Sequence, residues 1–212
     1  HVTLAEKTGA KIVFGSTAKT TFEAIIAKDN QVFKVGDITI TVLHTPGHTM
    51  ESSCYLLKDK EGKDYALFSG DTLFLGDVGR PDLAQKGDLT EKDLAGFLFD
   101  SLRNKVMKLA DEVIVYPAHG AGSACGKNLS KETVGSIGNQ KETNYALRAD
   151  MTKEEFVKEV TDGLLPPPAY FPLNVKLNKE GYQNIDEVIE NSAKPLSVEA
   201  FEIHANETDA LI

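Results

Sequence analysis

Apolar and polar positions fall into short alternating runs early in the chain and into longer helical periods later. Ile38-Thr39-Ile40-Thr41-Val42-Leu43 alternates with period two and is rich in β-branched residues, which predicts a strand. Ser53 to Lys58 predicts another, Asp59 to Lys63 closes a hairpin, and Tyr65 to Phe68 follows as a buried strand. Lys11 to Phe14 and Glu23 to Lys28 read as short strands, Gly36-Asp37 as a turn, and Glu112 to Val115 as a later strand. Helical spacing covers Val2 to Thr8, with Gly9 at the C-cap, and Leu89 to Leu109, which Thr90 can cap. It returns from Asn128 to Leu147 and again near Thr152, where Thr152 and Glu155 form a capping box. Pro166-Pro167-Pro168 ends that helix, and the tail from Ile185 reads as helical and then linker-like. Between strands and helices, Gly70 to Asp88 is loop-rich. Hairpins first and helices later point to α+β or layered α/β architecture, not to an alternating βαβ array. There is no internal repeat and no low-complexity tract.

Composition narrows this picture. A length of 212 residues suffices for one sizeable core. A net charge of -9 argues against nucleic acid and against an anionic membrane surface, since both need a basic partner. No apolar run approaches the roughly 18 residues of a membrane span. Two cysteines, Cys54 and Cys125, are too few for a disulfide framework, which favours a reducing cytosol and a cytoplasmic location, with a single disulfide left open. The chain opens on His1 instead of Met, without a signal peptide, so the expected natural start lies upstream.

Three segments share one design: a strand ends, and a metal-competent residue sits in the loop after it. They are Leu43-His44-Thr45-Pro46-Gly47-His48-Thr49, Phe68-Ser69-Gly70-Asp71-Thr72 and Val115-Tyr116-Pro117-Ala118-His119-Gly120. Loops above one sheet edge can converge, and two imidazoles with a carboxylate suit Zn²⁺ or Fe²⁺. Neighbouring glycines permit close approach or positive φ. Taken singly, each histidine reads better as an ordinary loop residue, and Asp71 as an Asx turn after Gly70. Spacing makes a convergent site plausible and does not settle it.

Together the segments resemble the metallo-β-lactamase superfamily. His48 in Thr-Pro-Gly-His-Thr is similar to the third metal-binding motif of that family, Asp71 in Ser-Gly-Asp-Thr to the fourth, and His119 in Tyr-Pro-Ala-His-Gly to the fifth. The resemblance covers nearly the whole chain and implies an α/β fold, a four-layer αββα sandwich. Gly70-Asp71-Thr72-Leu73-Phe74, Gly79-Arg80-Pro81-Asp82 and Tyr116-Pro117-Ala118-His119 resemble the persulfide dioxygenase and glyoxalase II branch. Gly120 to Lys127 resembles bacterial members fused to a rhodanese domain. Val198-Glu199-Ala200-Phe201 and Asp209-Ala210-Leu211-Ile212 resemble the linker and first strand opening such a domain. The resemblance thus divides the chain into a metallo-β-lactamase-like domain over 1–195 and a linker with the start of a rhodanese domain over 196–212. One motif departs: His-x-His-x-Asp-His is absent, and Val2 to Gly9 resembles the helix that follows it. The first ligands and first strands are therefore expected upstream, with the chain truncated at both ends.

The resemblance implies an enzyme oxidising a low-molecular-weight persulfide, of the glutathione persulfide kind, to sulfite with O₂ and one Fe²⁺. His48 and Asp71 would be ligands, and His119 would stand behind them or go unused. The alternative it implies is a zinc-dependent hydroxyacylglutathione hydrolase, with Asp71 bridging two metals and His119 holding the second. An inactive scaffold is the reading from another class. A homodimer is the expected assembly. Arg80 is a candidate anchor for a substrate carboxylate, with a salt bridge to Asp77 or Asp82 as the plainer reading. Tyr170, Phe171 and Asn174 follow the proline run and are candidates for a thiol pocket, core packing being the stronger reading for the two aromatics. Cys125 reads as a small buried or loop cysteine, since no activating base stands near it.

Overall fold

The computed structural model describes residues 1–84, 89–193 and 195–206. Strands β1 (Val13–Phe14) and β2 (Ile25–Ile26) pair in parallel as a small sheet. The main sheet has six strands in sequence order: β3 (Val32–Val35), β4 (Ile38–His44), β5 (Ser53–Lys58), β6 (Asp64–Gly70), β7 (Ile114–Pro117) and β8 (Gly135–Ser136). The first four form an antiparallel meander, whose β3–β4 and β5–β6 turns are the Gly36-Asp37 and Asp59–Lys63 connections expected from the sequence. β7 lies parallel to β6, so a crossover must join them. That crossover carries helix α2 (Glu91–Asn104). Helix α1 (Val2–Thr8) precedes the sheets, and α3 (Ile137–Thr143), α4 (Lys153–Thr161), α5 (Phe171–Glu180), α6 (Ile185–Ser192) and α7 (Val198–Ala205) follow them.

Register decides where the core sits. Leu43 faces Cys54, Leu56 faces Leu67, and Leu67 faces Val115, so these side chains share one side of the sheet. Leu94, Ala95, Leu98 and Leu102 recur at three and four along α2 and bury against that side, together with Phe156 and Val160 of α4. Each such leucine contributes roughly 1.5–3 kcal/mol, and a one-residue slip would turn the whole set outward. Capping is as expected: Thr90 with Asp93 and Thr152 with Glu155 form reciprocal boxes at the starts of α2 and α4.

Several expectations need correction. Ala66 and Leu67 are buried, but Tyr65 and Phe68 are exposed, because the pleat puts alternate residues on opposite sides and the strand is not covered along its length. Phe68 stacks on Tyr116 of the neighbouring strand, with centroids 5.6 Å apart. The helix expected from Leu89 to Leu109 stops at Asn104, followed by a short 3-10 turn over Val106–Lys108. The helix expected from Asn128 begins at Ile137. Upstream, the amides of Lys127 and Asn128 donate to the Asp77 carboxylate at 2.6 and 2.7 Å, and Ser130 donates to the Leu75 carbonyl at 2.9 Å. Those bonds hold the segment as a loop against the crossover. Val198-Glu199-Ala200-Phe201, expected in a linker and the start of a domain, lies in a helix over Val198–Ala205 capped by Ser197. The Asp209-to-Ile212 resemblance lies outside the described residues. No helix among the described residues is long and apolar enough to cross a membrane.

Candidate metal centre

Parallel pairing brings the C-terminal ends of β6 and β7 to one sheet edge, and the end of β4 lies on that edge too. Loops at such an edge are where α/β sheets collect functional groups. After β4 the chain turns through Pro46-Gly47. A Cβ on Gly47 would lie 2.4 Å from the Leu98 Cβ, and its φ is 152°, so only bare backbone fits against α2 there. Ser101 of α2 donates to the Pro46 carbonyl at 2.8 Å. Thr45 Oγ1 meets Thr72 Oγ1 at 2.8 Å and ties this loop to the one after β6.

His48 leaves this turn with 7% exposure. Its Nδ1 lies 2.8 Å from the Arg80 carbonyl oxygen. A carbonyl can only accept, so Nδ1 carries the proton and Nε2 keeps its lone pair. Nε2 is 3.9 Å from Asp71 Oδ2, too far for a hydrogen bond. Burial pushes the His48 pKa down, more than the neighbouring Asp71 charge pushes it up. The ring is thus held neutral, the form that binds metal.

Asp71 follows β6, and His119 follows β7. His119 Nδ1 donates to Asp71 Oδ1 at 2.5 Å, which leaves Oδ2 directed toward His48. The His119 ring lies 6.0 Å from Phe74. The three residues expected at the site therefore meet.

Behind them runs Gly79-Arg80. A Cβ on Gly79 would sit 1.9 Å from the Asp71 carbonyl oxygen and 3.1 Å from the His48 Cβ, so the site closes only around glycine. Arg80 is 5% exposed, and its fork pairs with Asp82 through Nε and Nη2, each at 2.6 Å. Nη2 also donates to the Leu165 carbonyl at 2.5 Å, and Nη1 to that of Ala124 at 3.3 Å. The hydrogen bonds it donates to Asp82 push the Arg80 pKa further up. Asp82 is the partner, not Asp77, which instead accepts from Tyr145, Lys127 and Asn128.

One residue that the sequence reads as an ordinary cysteine joins the cluster. The donor atoms of His48, Asp71 and Cys125 all lie within 4.8 Å of one another. The amide of Arg80 donates to the Cys125 carbonyl at 2.9 Å, which brings the loop after His119 over the site. Burial pushes the Cys125 thiol pKa up.

Other candidates stand apart. His44 Nε2 donates to the Met50 carbonyl at 2.9 Å, a local loop bond. Tyr170 is exposed at the start of α5 and packs on Phe171, with centroids 5.2 Å apart. Among the described residues, no hydrogen bond or ring contact joins Tyr170 or Asn174 to His48, Asp71 or Cys125. A shallow cleft of about 710 Å³ near α5 and α6, lined by Leu177, Tyr182 and Val188, contains none of the cluster.

The donor set is imidazole nitrogen, carboxylate oxygen and sulfur, which suits zinc or iron and not the hard cations. A four-coordinate ion with bonds of about 2.0–2.3 Å spaces its ligands by roughly 3.3–3.8 Å. The 3.9 Å between His48 Nε2 and Asp71 Oδ2 is close to that span. The residues present fit a metal ion.

No family model matches the chain. Among solved structures it is similar to a metallo-β-lactamase from Staphylococcus aureus subsp. aureus COL, with TM-score 0.75, 32% identity, and coverage of 85% of this chain and 54% of that one. It is also similar to ETHE1 from Myxococcus xanthus, with TM-score 0.66, 31% identity, and coverage of 84% of this chain and 69% of that one. Among curated proteins, a probable hydroxyacylglutathione hydrolase of Schizosaccharomyces pombe is 37% identical over 92 residues, 43% of this chain. The chain spans about a third of the length of the curated relatives it matches.

Proposed function

Because the chain belongs to the metallo-β-lactamase superfamily, we propose that it comes from a metal-dependent enzyme of thiol metabolism that oxidises a low-molecular-weight persulfide to sulfite. His48 and Asp71 would hold a single iron, and bound there the ion would supply the redox chemistry of O₂. The observation that carries this reading is the 2.5 Å bond from His119 Nδ1 to Asp71 Oδ1. A histidine that hydrogen-bonds a ligating carboxylate orients it from behind, which is the role the one-iron reading gives His119. Similarity to ETHE1 supports the same branch. In the overall reaction one persulfide, one O₂ and one water give one thiol, one sulfite and two protons, the outer sulfur being oxidised and O₂ reduced.

The residues have separate tasks in this scheme. The Arg80 carbonyl fixes the His48 tautomer. Asp71 presents Oδ2 because His119 takes Oδ1. The burial of His48, with Thr45 and Thr72 packed behind the cluster, excludes water from one side.

A second reading is favoured by the names of the curated relatives, several of which are hydroxyacylglutathione hydrolases. In that reading zinc polarises a thioester carbonyl and activates water, and His119 is a ligand. Metal analysis combined with two assays decides. The expected result is about one iron per chain, with O₂ consumed and sulfite formed from glutathione persulfide. About two zinc ions per chain, with thiol released from a hydroxyacyl-glutathione, would overturn the dioxygenase reading.

A further inference from the structure

We propose that Cys125 is a protein ligand of the metal, joining His48 and Asp71. The proposal rests on the metal-site reading above and adds to it a thiolate donor. Three observations support it. First, the three donor atoms already lie within 4.8 Å of one another, a grouping that could hold a metal ion.

Second, the cysteine is held where it is. The Cys125 carbonyl accepts from the Arg80 amide at 2.9 Å, the preceding carbonyl of Ala124 accepts from Arg80 Nη1 at 3.3 Å, and the Cys125 amide donates to Ser123 Oγ at 3.2 Å. The carbonyl of the same Arg80 accepts a hydrogen bond from His48 Nδ1 at 2.8 Å. One residue thus clamps two donors from distant segments, and the bidentate pair with Asp82 fixes that residue in turn. Arg80 is a positioning residue for both.

Third, the neighbouring groups have partners of their own. His119 Nδ1 is bonded to Asp71, so the imidazole nearest the carboxylate serves it through a hydrogen bond. Cys54 is fully buried in the core, with its sulfur 3.4 Å from the Ser69 carbonyl oxygen and 3.5 Å from Thr45 Oγ1. Only Cys125 offers sulfur to the cluster among the described residues. On ligation the thiol proton leaves to solvent and the thiolate binds, which biases the site toward zinc, iron or cobalt and against magnesium or calcium.

Cobalt(II) is the probe, titrated into the reduced full chain while the near-ultraviolet spectrum is recorded. The expected result is cobalt uptake with a thiolate-to-cobalt charge-transfer band. That band is lost in Cys125→Ser, whose fold is checked by circular dichroism, and kept in Cys54→Ala. Uptake without the band, or a band that survives Cys125→Ser, overturns the ligation while leaving His48 and Asp71 as the site. No uptake at all overturns the ligation and the metal-site reading together.

Discussion

The imidazole of His48 donates a hydrogen bond from Nδ1 to the backbone carbonyl of Arg80, 2.8 Å away and 32 positions along the chain. That bond holds Nε2 toward Asp71 and leaves it unprotonated. Burial then keeps the ring neutral.

A pH dependence follows for the metal-free chain. With its pKa pushed below the ordinary histidine value of about 6.5, folded His48 refuses a proton that the unfolded chain accepts. The contribution to stability is present above that ordinary value and is lost as pH falls from there toward the lowered folded value. Thermal unfolding measured between about pH 7.5 and 5 is expected to show Tm falling, and His48→Gln should flatten that part of the slope. An unchanged slope in the variant would assign the effect to other groups.

Packing at Gly79 gives a second expectation. A methyl group there meets the Asp71 carbonyl oxygen at 1.9 Å, which is backbone and cannot swing aside. Gly79→Ala is expected to cost about 1–3 kcal/mol and to weaken metal uptake, because the displaced strand end carries Asp71. Chemical denaturation and metal content check both. Full stability with full metal content would mean that the loop after β6 is free to shift.

Much of this arrangement is legible in the sequence, where local physics decides it. Period-two alternation gives β4, and the Thr90 and Thr152 boxes give the starts of α2 and α4. Two strands ending in polar loops make a meeting of His48 with Asp71 plausible, and the resemblance of their motifs to the family's is what points to it. What escapes is long-range. Residues 129–134 have helical spacing, yet Asp77 and Leu75 capture the backbone around them. Cys125 reads as an ordinary cysteine, because its link to His48 passes through the Arg80 backbone and leaves no local pattern. His44 has the same strand-end placement as the site residues, but its ring closes on the Met50 carbonyl instead.

Arg80 separates a structural role from a substrate role. Arg80→Lys keeps the charge but loses the fork that grips Asp82. The expected outcome is a loss of about 1.5–3 kcal/mol in stability together with weaker metal binding, since the residue positions His48 and Cys125. A raised KM with unchanged Tm and metal affinity would instead favour Arg80 as the anchor of a substrate carboxylate.

His119 discriminates most sharply, because its two candidate roles respond differently to the same pair of substitutions. If its task is to hold Asp71 Oδ1, then His119→Ala removes the donor and should lower activity by about 10–100-fold while the metal stays at its full level. His119→Gln supplies an amide N–H that can reach the carboxylate, so part of the activity should return. If His119 were a ligand of a second ion, Gln would not replace imidazole, and both variants would lose about one metal per chain. Activity and metal content measured on the same preparations therefore separate the one-iron oxygenase from the two-zinc hydrolase. Metal loss in the Gln variant would end the oxygenase reading.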